Sequence, residues 1–255
     1  MLSLFIGKRK DLAKKIIKEA NTLLTQINSA KTYDRETVFK RAEDYLKNDN
    51  WQIRNIGVKL LGIAGEKKHL HILAERLRDA SEAGFVKRNA AVAMGKIGAS
   101  HDGAKDALIA SVDDKYWEIR AEAIKALSCI YKNDKKVFSV IVSRLLGKEY
   151  DEKEGCGPES LSRKREKNFE VKEAIAYAMG NFPHIGDSEE ALKILLGDDN
   201  WIVRAAALNS LKKTGKISDS TKKFISNIDL TCESFTPVFP LKEIYTKLIS
   251  KNEES

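Results

Sequence analysis

Apolar residues recur along this chain at helical spacing, in short blocks that come back again and again. Val38, Ala42, Tyr45 and Leu46 form one such block, and Leu70, Leu73, Ala74 and Leu77 form the next. Val137, Val140, Ile141 and Leu145 follow, and then Leu192, Leu195 and Leu196. Steps of three and four residues bring such positions onto one face of a helix. Residues 104–112 make a shorter and weaker block of the same kind. After each block comes a second apolar series, so the pattern predicts pairs of amphipathic helices joined by short turns.

The second series carries a basic residue at a fixed place: Arg54, Lys87, Arg120, Lys172 and Arg204. The intervals are 33, 33, 52 and 32 residues, and the 52 is one repeat plus roughly 19 inserted residues. Small or apolar residues stand three and four positions after each of these anchors: Gly57 and Val58, Ala90 and Ala91, Ala123 and Ile124, Ile175 and Ala176, Ala207 and Leu208. Leu61, Met94, Leu127, Met179 and Leu211 stand at the seventh. Gly62, Gly95 and Gly180 come next. A glycine inside a helix costs about 1 kcal/mol against alanine, so its recurrence predicts close approach of a neighbouring helix. Gly65, Gly98 and Gly215 stand eleven residues after their anchors, where a left-handed cap would end the helix. Pro183 is the corresponding stop in the fourth repeat.

Ahead of the anchors run Asn50-Trp51-Gln52-Ile53, Tyr116-Trp117-Glu118-Ile119, Asn168-Phe169-Glu170-Val171 and Asn200-Trp201-Ile202-Val203, with Ala83-Gly84-Phe85-Val86 as a shifted fifth copy. This pattern of aromatic, Val/Ile, Arg/Lys, small residue, Ala and Leu-Gly resembles the HEAT repeats of the armadillo-like helical superfamily. The closest branch in pattern is the short bacterial and archaeal one often called phycobilisome-lyase-type. The resemblance covers about residues 35–215. It implies an all-α, right-handed α–α superhelix (a solenoid) of about five helix pairs, interrupted by an insertion at residues 147–167. Residues 1–34 would then be a basic amphipathic capping helix, centred on residues 8–27. Residues 216–255 would be C-terminal capping helices, with segments at 219–228 and 241–249. This type of fold hosts scaffolds, chaperones, lyases and nucleic-acid binders, so the resemblance implies architecture and not an activity.

Charge modifies this picture only locally. The chain of 255 residues has a net charge of +8, which raises nucleic acid as a partner. Residues 1–31 hold seven Lys/Arg against Asp11 and Glu19, so +5 of the charge is concentrated there. The remainder mixes both signs, as a solvated surface does. No apolar run approaches the ~18–20 residues a membrane span needs. At the start of the chain, Lys8, Arg9 and Lys10 follow the apolar stretch, the reverse of a secretory signal. The three cysteines are scattered, which fits a reducing compartment, and a cytoplasmic location is expected.

The most regular residues read as scaffold. An acid stands five or six positions before every anchor: Asp49, Glu82, Asp114, Glu166, and Asp198 with Asp199. The resemblance implies that such acids and bases pair between neighbouring repeats. Trp51, Trp117, Trp201 and Phe169, each three residues before an anchor, are expected to plug the turn between paired helices. Positions one and five after the anchor avoid the core positions and should face outward: Asn55 and Lys59, Arg88 and Val92, Ala121 and Lys125, Glu173 and Tyr177, Ala205 and Asn209. The family's concave surface is lined by second helices, which makes Asn55, Lys59, Arg88, Lys125, Tyr177 and Asn209 the candidate partner-binding row. The insertion opens acidic, passes Gly155-Cys156-Gly157-Pro158 and ends basic; it reads as a disordered loop, with contact to a partner as the alternative.

Catalysis finds little support in the sequence. The four histidines are scattered, and His69 and His71 stand two apart, on different sides of a helix. No His-Glu dipeptide of the deoxyhypusine hydroxylase type is present, and no base is positioned to activate Cys156. The phycobilin lyases share the repeat type, but nothing in this sequence indicates a bilin site. The expected function is a scaffold or adaptor that holds a protein partner, without cofactor or metal. The alternatives are nucleic-acid binding through the basic N-terminal half and a lyase- or chaperone-like role in cofactor attachment. Contact of the N-terminal helix with a membrane surface is the least favoured of the partner readings.

Overall fold

The computed structural model describes residues 2–29, 33–151, 155–159, 165–182, 187–214 and 217–227. Gly215, Pro183 and the segment 241–249 lie outside the described residues. The chain divides into two compact units, residues 1–111 and 112–255.

In the first unit, helix α1 (Leu2–Ser29) precedes two complete pairs. These are α2 (Arg35–Leu46) with α3 (Trp51–Ala64), and α4 (Leu70–Arg78) with α5 (Gly84–Ile97); α6 (Asp102–Ser111) closes the unit. Second helix packs on second helix, α3 on α5, while first helix packs on first helix, α4 on α6. Helix α1 lies against α3 and buries Ala20 and Ile27, so it takes the place that the second helix of a preceding pair would occupy. It begins earlier than the predicted residue 8.

The second unit contains α7 (Trp117–Ile130), α8 (Lys135–Leu146), α9 (Phe169–Met179), α10 (Ser188–Leu196), α11 (Trp201–Thr214) and α12 (Asp219–Ser226). The same rule holds: α7, α9 and α11 pack in succession, and α10 packs on α12. Phe138 of α8 meets Phe182 edge-on at 5.6 Å, and both rings are fully buried.

Repeating small residues set the distance between second helices. A Cβ at Gly62 would come within 3.0 Å of the Ala93 Cβ on α5, and one at Gly180 within 3.0 Å of the Ser210 Cβ on α11. Gly57 plays the same part within a pair, where an added Cβ would stand 2.9 Å from the Ala42 carbonyl oxygen.

Two expectations change. Gly98 ends α5 in the left-handed conformation (φ 66°), but Gly65 ends α3 in an extended one (φ −69°, ψ 158°). The chain at Gly65 runs straight on into a one-turn 3₁₀ helix at Lys67–His69, with His69 buried beneath the Phe39 ring and His71 exposed. The insertion is not uniformly irregular. Strands β1 (Lys148–Asp151) and β2 (Gly155–Glu159) pair antiparallel, with Tyr150 opposite Cys156. Both ends of the insertion are held together: Gly147 turns out of α8 at φ 69°, and the Arg165 backbone passes so close that no side chain fits at 147.

Replacing Gly57 with Val should destabilise the first unit by about 2 kcal/mol through overpacking against α2. Lys59→Ala, two residues further along the same helix and exposed, should change stability by less than about 0.5 kcal/mol. Urea denaturation of the two variants tests the difference.

Candidate functional site

Two of the anchor arginines, Arg54 and Arg120, do two things with the guanidinium. Arg54 donates from Nη1 to the carbonyls of Asn48 and Asp49 in its own turn, both at 2.8 Å. Its Nε and Nη2 donate to the two carboxylate oxygens of Glu82, at 2.8 and 2.6 Å, in the next repeat. Arg120 repeats this with the carbonyls of Asp114 and Lys115 and with Glu166, at 2.9 Å to each oxygen. Lys172 reaches Asp198 at 2.6 Å with its single ammonium. The pairing of acids and anchors between repeats is therefore as expected. The two-pronged geometry is specific to arginine, whose planar fork matches a carboxylate.

The acceptor carboxylates are further held from their own side. Glu82 receives the Ala83 N–H, with Arg76 of α4 nearby, and Glu166 receives Arg144 of α8 at 2.7 Å and the N–H groups of Lys167 and Asn168. Both carboxylate side chains are only 1% exposed. Burial pushes each carboxyl up, but the hydrogen bonds from arginine and backbone outweigh it, so both are held below their ordinary value of 4.5. These acids do not cap the second helices. Asn50, Asn168 and Asn200 do, each accepting a backbone N–H from the first turn.

The aromatic residues before the anchors are not buried plugs. Trp51 is 39% exposed and Trp117 37%, because each sits at the first residue of its helix, on the outer edge of the stack. Trp51 instead stacks on Phe85 of the next repeat, with centroids 5.7 Å apart and planes 18° from parallel. Sequence spacing revealed the repeat register of these rings, but not the edge on which they lie.

The partner-binding row divides between the units. Asn55, Lys59 and Arg88 lie on α3 and α5 in the first, and Lys125, Tyr177 and Asn209 lie on α7, α9 and α11 in the second; all six are at least partly exposed. Asn55 is held by Asn89, whose Nδ2 donates to its Oδ1 at 2.7 Å. Asn89 is a contact the sequence pattern missed, since it stands one position beyond the outward series. Lys59 borders a recess of about 230 Å³ shared with Leu24 of α1, Ile63, Asn89, Val92 and Lys96. In the second unit Lys125 pairs with Glu122 at 2.9 Å, and the ammonium of Lys213 lies 5.8 Å from the Tyr177 ring centre. Burial raises the Glu173 carboxyl, and Lys125 opposes it in part. The outward rule fails at Ala121 and Ala205, both 3% exposed: alanine is small enough to be covered where second helices approach.

A family model described as HEAT repeats matches residues 36–128. Paired helices with second helix packed on second helix recur within each of the two units. No curated protein matches the chain. Among solved structures, an engineered protein superposes with a TM-score of 0.57 at 16% identity, over 88% of this chain and 100% of that one. At that identity the likeness concerns fold alone. The complex of CpcE and CpcF of phycocyanin lyase from Nostoc sp. PCC7120 gives a TM-score of 0.44 at 17% identity, over 86% and 96% of the chains. A designed armadillo repeat protein in complex with peptide (KR)4 gives 0.48 at 16%, over 90% and 98%. Among the described residues, no helix is long and apolar enough to cross a membrane.

Removing one partner of a buried, forked ion pair leaves the other charge stranded. Glu166→Gln should therefore cost about 3–5 kcal/mol of stability, measurable by urea denaturation. The pH dependence has a definite sign. A carboxyl whose folded value is depressed stabilises the fold above its unfolded value and loses that contribution as pH falls through the folded one. Stability followed by circular dichroism should hold at neutral pH and fall progressively below about pH 4.5, less steeply in Glu166→Gln.

Proposed function

We propose that this chain is a protein-binding array that uses its second-helix face to hold an acidic, partly apolar segment of a partner. The observation that carries this reading is the recess beside α3 and α5. It is lined by the cations Lys59 and Lys96, by the amide of Asn89 and by the apolar side chains Leu24, Ile63 and Val92, with no carboxylate in its lining. A concave site that is mostly apolar, with a few convergent polar groups, is the usual form of a binding pocket. The two ammonium groups set the sign of what it would accept. The Asn89–Asn55 hydrogen bond holds one amide in place, which lowers the ordering cost of binding. The close approach of α3 and α5 at Gly62 and Ala93 provides its floor. Lys125, Tyr177 and Asn209 would offer a separate set of contacts in the second unit. The repeat architecture supports this reading, since stacked helix pairs create extended binding surfaces.

The test is a binding titration with labelled synthetic peptides, each combining two or three acidic residues with leucine, beside a basic peptide of equal length. Acidic peptides should bind and the basic one should not. The double variant Lys59→Glu with Lys96→Glu should weaken binding at least tenfold, with the circular dichroism spectrum unchanged. Duplex DNA added in the same assay separates the nucleic-acid reading: tight, steeply salt-dependent binding of DNA, with none of acidic peptide, would overturn the proposal.

A further inference from the structure

The recess beside α3 and α5 brings two ammonium groups together with no counter-charge in its lining. Lys59 belongs to α3 and Lys96 to α5, and no carboxylate borders the space between them. Among the described residues, neither lysine forms a salt bridge or a hydrogen bond. The two side chains serve one place. Gly62 stands three residues after Lys59, on the same side of α3. A Cβ at Gly62 would lie 3.7 Å from the Lys96 Cδ, so the Lys96 stem lies over α3 at that point. Exposure rises from the floor to the mouth: Ala93 is buried, Ile63 and Val92 are half-buried, and Lys59 and Lys96 are exposed. The cations therefore stand at the mouth, above apolar walls.

We propose that this recess reads a phosphoserine or phosphothreonine of the partner, seated beside an apolar residue. The proposal rests on the reading of the recess as the partner-binding site, and it makes phosphorylation of the partner the switch for capture. The charge count favours phosphate. A single carboxylate would leave one of the two ammonium groups without a counter-charge, whereas a phosphate monoester carries about −1.5 to −2 at neutral pH. Its three oxygens accept from both lysines at once, and lysine meets phosphate as a point charge, without a fixed fork. Two separate carboxylates would supply the same charge only by ordering two side chains of the partner. Depth decides which phosphorylated residue fits. The floor at Gly62 and Ala93 offers no side-chain donor. A phosphotyrosine entering the recess would carry its charge down to that floor. The short arm of serine or threonine keeps the phosphate at the mouth, and the space of about 230 Å³ beneath is left for the adjoining apolar side chain.

The experiment uses the full chain and fluorescence anisotropy with pools of short labelled peptides. The central residue is serine, phosphoserine, phosphotyrosine or glutamate, one neighbour is leucine, and the other positions are randomised. The phosphoserine pool should bind about tenfold more tightly than the glutamate or phosphotyrosine pool, as one added charge-assisted hydrogen bond gives, and the serine pool should bind least. Lys59→Gln and Lys96→Gln should each abolish that preference; both residues are exposed, so the circular dichroism spectrum should not change. Glycine in place of the leucine should weaken the phosphoserine pool. Equal binding of the phosphoserine and glutamate pools overturns the phosphate assignment and leaves an acid-binding recess in place. Absence of binding by every pool overturns both readings. Competitors identify the source of the phosphate. Inorganic phosphate that displaces the pool as well as unlabelled phosphopeptide does, or vesicles of phosphatidylcholine with phosphatidic acid that bind more tightly than the pool, would overturn the proposal, since the recess would then take a bare anion or a lipid headgroup.

Discussion

A carboxylate buried between guanidinium groups is the contact that registers one helix pair against the next. Apolar packing alone would let neighbouring helices slide, because the faces of α3, α5, α7, α9 and α11 are lined by similar small aliphatic side chains. The ion pair does not allow sliding. Glu82 must meet both Nε and Nη2 of Arg54 while Nη1 of the same residue holds two carbonyls of its own turn. Arg54 and Arg120 thus each fix the turn before their helix and the turn of the next repeat at once. Such pairs need not add stability over a well-packed apolar substitute; the clearer consequence is that one alignment is allowed and others strand a charge.

The small residues are the complement of that constraint. Gly62 against Ala93 and Gly180 against Ser210 bring second helices close enough for Arg54 to reach Glu82 and for Lys172 to reach Asp198. They also leave the shallow floor on which the Lys59 and Lys96 recess lies. The spacing that serves the stack therefore also shapes the surface open to a partner, and the two cannot be varied independently.

Much of this was legible in the sequence because its period is long and chemically marked. The interval of 33 residues between Arg54, Lys87 and Arg120 identified the repeat, and the family resemblance implied that the acids five or six residues before each anchor pair with the anchors. Other features depend on three-dimensional surroundings that spacing does not encode. Trp51 and Trp117 look like core residues by type, yet lie on an edge because the helix starts with them. Gly65 and Gly98 occupy equivalent positions, and only Gly98 turns left-handed, because the chain after Gly65 continues directly into Lys67–His69. The strand at Lys148–Asp151 has no alternating apolar pattern to announce it. The six candidate residues of the outward row are at least partly exposed while Ala121 and Ala205 of the same series are covered, and the partner Asn89 appears only when side chains are placed.

Gly147 and Arg165 touch, so the insertion leaves the stack and re-enters it at a single point. Closing a loop at a fixed point depends only weakly on its length, at about 0.6 kcal/mol for each doubling. Glu166, which must meet Arg120 and Arg144, follows immediately after that closure and is insulated from whatever lies between. The position behaves as a grafting port: a segment of different length or composition could replace the hairpin while the repeats on either side kept their alignment. Repeat arrays usually diversify by adding or losing whole units; this one carries, in one glycine, a second route to new surface.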